Sequence, residues 1–237
     1  SDSGVVRIKG TKKGLAVKTD CNGRYGYLNP RKGGQIAVAE AARNVVCSGA
    51  KPMAITNCLN FGNPYKPEVY WTFKEALAGM GDACRMFNTP VTGGNVSFYN
   101  ENPEMAIFPT PVIGMLGLVE DVEKHRMTPE FKNESDVIYY VGAPRKGLGG
   151  SEYLREVFDL TTGDAPDIDL EFENRLQSSL LDAIQNQYVN AAHDISDGGL
   201  ATTLAEMAMF AGKGADVSVA DLGENKHEIL YSEAQSG

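Results

Sequence analysis

The chain has 237 residues, 42% of them apolar and 22% charged, which is enough to bury a core in one large domain or two modest ones. Its formal net charge of −9 argues against a nucleic-acid binder, which needs a basic face. Any phosphate would have to be met by local amides and a metal.

No stretch approaches the ~18 apolar residues of a membrane span, and the polar start, Ser1-Asp2-Ser3-Gly4, has no signal-peptide core. Cys21, Cys47, Cys58 and Cys84 lack zinc spacing and read as reduced, mostly buried thiols. A cytoplasmic protein is expected. A strand begins almost at once and another stands close to the last residue, so the chain reads as a piece cut from a longer protein.

In chain order, residues 5–8 and 15–18 read as strands around a Gly-Thr-Lys-Lys-Gly turn. A polar, Gly-rich loop is expected over 20–34. A helix over 35–48 follows from apolar residues at 37, 38, 41, 42, 45 and 46, with Gly49 at its C-terminal stop. Residues 52–56 read as a short strand and 60–64 as a loop. Residues 71–87 form an amphipathic helix, with Phe73, Leu77, Met80, Ala83 and Phe87 on one side. A loop and strand around 90–97 come next, then bent strands over 105–120. The charged stretch 124–136 is the expected linker between domains at 1–123 and 137–237. In the second domain, strands are expected at 137–141, 189–193, 215–219 and 228–231, and helices at 152–158, 171–187 and 200–210. Both halves are mixed α/β, the first with the hairpin-rich start of an α+β layer.

Four stretches could carry chemistry. In Thr92-Gly93-Gly94-Asn95-Val96-Ser97, paired glycines expose backbone N–H groups, Asn95 offers a hard carbonyl oxygen suited to Mg2+, and Ser97 shares its face if the chain is extended. A simple β-turn is the alternative. Asn57, Asn60 and Asn63 leave a strand end together, where α/β layers hold ligands, or else form an Asx-rich turn. His193-Asp194-Ile195-Ser196-Asp197-Gly198-Gly199 enters a helix, either as acid/base or metal groups or as a helix cap with a core histidine. Gly147-Leu148-Gly149-Gly150-Ser151 could cradle a phosphate but lacks the lysine of a P-loop. No nucleophile constellation appears, and three histidines leave few general bases.

Taken together and in order, four blocks resemble the second repeat of small-type formylglycinamidine ribonucleotide synthetases. They are Gly33-Gly34-Gln35 with its helix to Pro52, Ile55-Thr56-Asn57-Cys58-Leu59-Asn60-Phe61-Gly62-Asn63-Pro64, Thr92 to Asn100, and His193 to Leu200. The resemblance implies an aminoimidazole ribonucleotide synthetase-like fold. That fold pairs an N-terminal domain into a β-barrel and adds a C-terminal α/β domain, here truncated.

The resemblance also implies the chemistry. ATP and Mg2+ activate the formamide oxygen of formylglycinamide ribonucleotide, and glutamine-derived ammonia then displaces phosphate to give the amidine. By motif, Asn57 and Gly94 match nucleotide contacts, Asn95 a Mg2+ ligand and Ser97 a substrate contact. In the family many members carry Asp at the position matched by Asn57, so the resemblance implies that a charge is lost there. The catalytic histidine belongs to the first repeat, outside this chain, so no catalytic residue is expected here. His193, Asp194 and Gly149-Gly150-Ser151 fall in a second, pseudo-symmetric pocket.

The implied partners are the first half of the protein, a glutaminase subunit and a small bridging subunit. An uncovered barrel half would favour a homodimer of the isolated chain. The alternatives are another enzyme of the same superfamily, or a non-catalytic repeat that binds nucleotide structurally or not at all.

Overall fold

Residues 2–143 and 146–237 are described by a computed structural model. The chain opens with strands β1 (Gly4–Arg7) and β2 (Gly14–Asp20), antiparallel with Val6 opposite Leu15. The expected loop at 20–34 is instead helical. Helix α1 (Gly23–Leu28) and helix α2 (Pro30–Cys47) occupy most of it. The reason lies in two asparagines. Asn22 accepts from the N–H groups of Arg24 and Tyr25, and Asn29 from that of Lys32, while Pro30 takes the first helical position, where no N–H is needed.

Strand β3 (Lys51–Asn60) is twice the expected length. It is followed by α3 (Pro67–Phe87), β4 (Val91–Ser97) and β5 (Thr110–Val119). The sheet order is β1-β2-β5-β3-β4, with β3 and β4 parallel and the other pairs antiparallel. It is an open sheet with β1 and β4 at its edges, so the expected barrel is not closed within this chain.

Helices α2 and α3 cover one face. Val38, Ala41, Ala42 and Val45 of α2 pack on Ile55, Leu59, Ile113, Met115 and Val119. Helix α2 is buried on nearly all sides, and glycines let its neighbours come close. A Cβ on Gly34 would lie 2.3 Å from the Ala76 carbonyl oxygen of α3. The other sheet face is uncovered: Val6, Val17 and Leu116 are 66%, 49% and 38% exposed.

Beyond residue 123 the chain wraps the far end of α2, where the Met127 N–H donates to the Ser48 carbonyl. Then come α4 (Glu152–Phe158), α5 (Leu170–Gln185), α6 (Gly199–Ala211) and α7 (Lys226–Tyr231). The strands expected at 137–141, 189–193 and 215–219 are absent, and 228–231 is helical. A strand needs a ladder, and none of these segments is part of one among the described residues. Val137 and Tyr139 are 71% and 79% exposed. Short apolar runs suggest strands locally, but here they have no ladder to join. At 228–231 the Asn225 side chain caps the helix by accepting from the His227 and Glu228 N–H groups. No helix among the described residues is long and apolar enough to cross a membrane.

Candidate functional site

The four residues singled out from the sequence lie on the parallel pair β3–β4. Asn57 is in register with Gly94, Cys58 with Asn95, and Asn60 with Ser97. The Gly-Gly-Asn stretch is therefore extended strand and not a turn. Alternation sorts the residues between faces. Asn57 lies between Ile55 and Leu59 in the alternation that faces α2 and α3, and Gly94 shares that side. Asn95 and Ser97 point to the opposite, uncovered side with Cys58 and Asn60.

Because β4 is the edge strand and carries Gly93 and Gly94, its outer rim is bare backbone. The Asn95 side chain makes no hydrogen bond among the described residues, so its carbonyl oxygen is available as a hard ligand. Mg2+ uses few protein oxygens and completes its shell with water and substrate phosphates, so this single oxygen fits the role.

Asn57 belongs to a longer row. Across the sheet, Asp20, Ile113, Asn57 and Gly94 are successive partners. The row joins the β3–β4 corner to a second polar region at the end of β2.

The chain leaving β4 is held tightly. The Tyr99 N–H donates to the Gly62 carbonyl at 3.1 Å, and the Asn100 N–H to the Phe61 carbonyl at 3.1 Å. The Asn100 amide donates to the Ser97 carbonyl at 2.9 Å and the Ser97 hydroxyl at 3.1 Å. Phe98 turns into the core, edge-on to Phe73 at 5.1 Å. Tyr99 takes a left-handed backbone, φ 62°, which costs a bulky L-residue on the order of 1–2 kcal/mol.

The second polar region is acidic. Asp20, Glu40, Asp194 and Asp197 act on one another electrostatically where β2, α2 and the turn before α6 meet. Burial, with mutual repulsion, pushes Asp20 up to about 7, Glu40 well above the carboxylate range, and Asp197 upward. The Glu40 carboxylate has no hydrogen bond among the described residues, whereas Asp194 accepts from the Asn44 amide at 3.1 Å. The mutual repulsion of these acids, added to burial, keeps protons on this cluster.

A neighbouring trio, Asp2, His193 and Asp194, brings its ligand atoms within 4.8 Å of one another. There the His193 Nδ1 lies 2.7 Å from Asp2 and 3.5 Å from Asp194, as an ion pair outside hydrogen-bond geometry. Burial opposes the imidazolium, but the flanking carboxylates win and raise His193 to about 10. With His193 protonated the trio is held as an ion pair, and a metal there would first have to displace the imidazolium proton.

The expected phosphate cradle at Ser151 and the turn before α6 are both closed by the protein's own Glu233 carboxylate. Ser151 caps α4, and the next N–H, that of Glu152, donates to Glu233 at 2.7 Å. The Gly198 N–H donates to the same Glu233 oxygen at 2.8 Å, and the Tyr25 hydroxyl to the other at 2.6 Å. Neither Ser196 nor Asp197 caps α6; Gly198 holds that place.

The sequence reading missed Asp20, Glu40, Arg43 and Glu173. Arg43 and Glu173 pair at 2.8 Å with side chains 3% and 0% exposed, and Arg43 also donates to Gln235 at 2.9 Å. One signal was present: Glu40, Arg43 and Asn44 interrupt a helix otherwise rich in Ala and Val, and charges inside such a run need partners.

Known proteins share this architecture. Residues 1–119 match the family described as AIR synthase related protein, N-terminal domain, and residues 133–237 its C-terminal domain. The chain is 57% identical over 214 residues to phosphoribosylformylglycinamidine synthase subunit PurL of Chlorobaculum tepidum, covering 89% of this chain and 28% of that protein. It is 54% identical over 242 residues to the subunit of the same name from Salinibacter ruber, covering 100% of this chain and 32% of that one. The chain thus spans about a third of the length of these relatives.

Among solved structures, T. maritima PurL complexed with FGAR superposes with a TM-score of 0.78 at 19% identity, covering 99% of this chain and 38% of that one. T. maritima PurL complexed with AMPPCP gives 0.60 at 25% identity, covering 86% and 30%. AaThiL complexed with AMPPCP and TMP gives 0.59 at 17% identity, covering 99% and 76%.

Proposed function

Because the chain belongs to the AIR synthase related family, matched over both of that family's domains, we propose that it is part of an ATP-dependent phosphoribosylformylglycinamidine synthase. Identity of 54–57% to PurL subunits supports this over other members of the superfamily. The reaction activates the formamide oxygen of formylglycinamide ribonucleotide with ATP, and glutamine-derived ammonia displaces phosphate. The chain is read as two domains, 1–123 and 137–237, joined by 124–136. It works in the cytoplasm with the first half of its protein, a glutaminase subunit and a small bridging subunit.

Its task is to hold one edge of the ATP site. The observation that carries this is the bare rim of β4 at Gly93 and Gly94, flanked by Asn57 on one face and by Asn95 and Ser97 on the other. A nucleotide laid along that rim reaches both faces. Gly94 lets phosphate approach the backbone, and Asn57 bonds the nucleotide through its amide. Asn95 offers its carbonyl oxygen to Mg2+, and Ser97 orients the ribonucleotide substrate through its hydroxyl. Bound Mg2+ would neutralise charge on the transferred phosphoryl group. No residue here serves as the catalytic base, so the isolated chain is inactive even with ammonia supplied.

Asn95→Ala in the full-length protein tests the reading. Loss of activity in a folded protein supports it. Full activity would favour the rival, a repeat that binds nucleotide only structurally. Turnover by the isolated chain would also count against the proposal.

A further inference from the structure

The geometry points to Tyr99 as a substrate-binding residue beside Ser97, an inference that rests on reading Ser97 as a substrate contact. Tyr99 is the second residue beyond Ser97 and stands in the left-handed region, φ 62°, where a turn alone would favour Gly or Asn. The strain is imposed from both sides. The Tyr99 N–H is tied to Gly62, its carbonyl accepts from the Glu101 N–H at 2.9 Å, and the Asn100 N–H is tied to Phe61.

The partner loop is itself fixed, because Glu101 accepts from the Asn63 N–H at 2.9 Å and from Lys66 at 3.0 Å. Packing does not explain the residue type. Phe98 takes the core position, while the Tyr99 ring is 56% exposed. Among the described residues that ring meets no aromatic neighbour, and its hydroxyl makes no hydrogen bond. A strained residue held rigidly, with an exposed aromatic ring and a free hydroxyl, suits a ligand better than it suits the fold. The ring would wall the sugar face of the ribonucleotide at Ser97, and the hydroxyl would donate to its polar groups.

The test uses the full-length protein with its ammonia source and compares Tyr99→Gly, Tyr99→Phe and Ser97→Ala. Tyr99→Gly relieves the backbone, so it should raise Tm. It should also raise KM for the ribonucleotide substrate roughly tenfold, with KM for ATP within about twofold of the parent. Tyr99→Phe separates ring from hydroxyl and should show an intermediate KM. Where Tyr99→Gly folds poorly, Tyr99→Asn replaces it, since Asn tolerates the same backbone. Unchanged ribonucleotide KM in the Tyr99 variants, or a change confined to ATP or to kcat, overturns the inference while Ser97→Ala still raises that KM. If Ser97→Ala leaves it unchanged, the reading of the site fails instead.

Discussion

Asn57 and Gly94 lie side chain to backbone in adjacent parallel strands: a Cβ on Gly94 would fall 2.1 Å from the Asn57 Oδ1 and 2.7 Å from the Asn57 carbonyl oxygen. The Oδ1 can rotate away on its side chain, but the carbonyl oxygen cannot yield without moving a strand. Gly94→Ala is therefore expected to destabilise the chain by about 1–3 kcal/mol. Gly93 is the control, because nothing stands within 4 Å of its added Cβ, and Gly93→Ala should stay within about 0.5 kcal/mol of the parent. Urea denaturation of both variants decides the matter. Equal stabilities would show that the Asn57–Gly94 contact does not constrain the strand pair.

The same pair marks how far sequence reasoning reaches. The Asn-rich and Gly-Gly stretches stand out in the sequence because their residue types are poor strand formers. That Gly94 and Asn57 face α2 while Asn95 and Ser97 face away was hidden, since it depends on the register between β3 and β4. The acids were hidden for a different reason. Asp20 and Glu40 look like ordinary surface carboxylates until the turn before α6 brings Asp194 and Asp197 against them. Local patterns also misled where tertiary pairing decides. Residues 137–141 read as a strand yet find no ladder, and the polar run at 20–34 became helix because Asn22 and Asn29 sit at the N-caps.

The pairing of Arg43 with Glu173 ties α2 to α5 through a dry contact. Burial alone would raise the Glu173 pKa, but Arg43 outweighs it and holds the carboxyl below its ordinary value. Removing one partner strands the other charge. Arg43→Met is expected to cost about 3–5 kcal/mol, whereas Arg43→Met combined with Glu173→Leu should recover most of that loss. A double-mutant cycle by chemical denaturation measures the coupling. If the double variant is as unstable as the sum of the singles, the pair is not the source of the effect.

The acidic cluster makes stability depend on pH in an unusual direction. Asp20 rises to about 7 and Glu40 well above its ordinary value, both driven first by burial. Folded pKa values above the unfolded ones mean that the neutral acids favour folding. Their contribution is complete below the ordinary carboxylate range and is lost as pH rises through about 7 for Asp20. Tm should fall between about pH 5 and 8, and Glu40→Gln should flatten that fall. A parent protein whose Tm rises steadily over this range would refute the assignment.

Val17 of β2 stands opposite Leu116 of β5 on the uncovered sheet face, 49% and 38% exposed, with Val6 of β1 nearby at 66%. Apolar strands left bare in this way seek a cover. In the full-length protein the proposed cover is the first half. In the isolated chain a second copy presents the same surface, and a twofold arrangement lets each sheet cover the other. Sedimentation velocity of the isolated chain should therefore show a dimer that dissociates on dilution. Val17→Lys places a charge in the middle of the face and should shift the protein to monomer without unfolding it, because the side chain reaches solvent once the partner is gone. A monomeric parent, or a Val17→Lys variant that dimerises equally well, would remove this face from the list of interfaces and leave its exposed valines without a role.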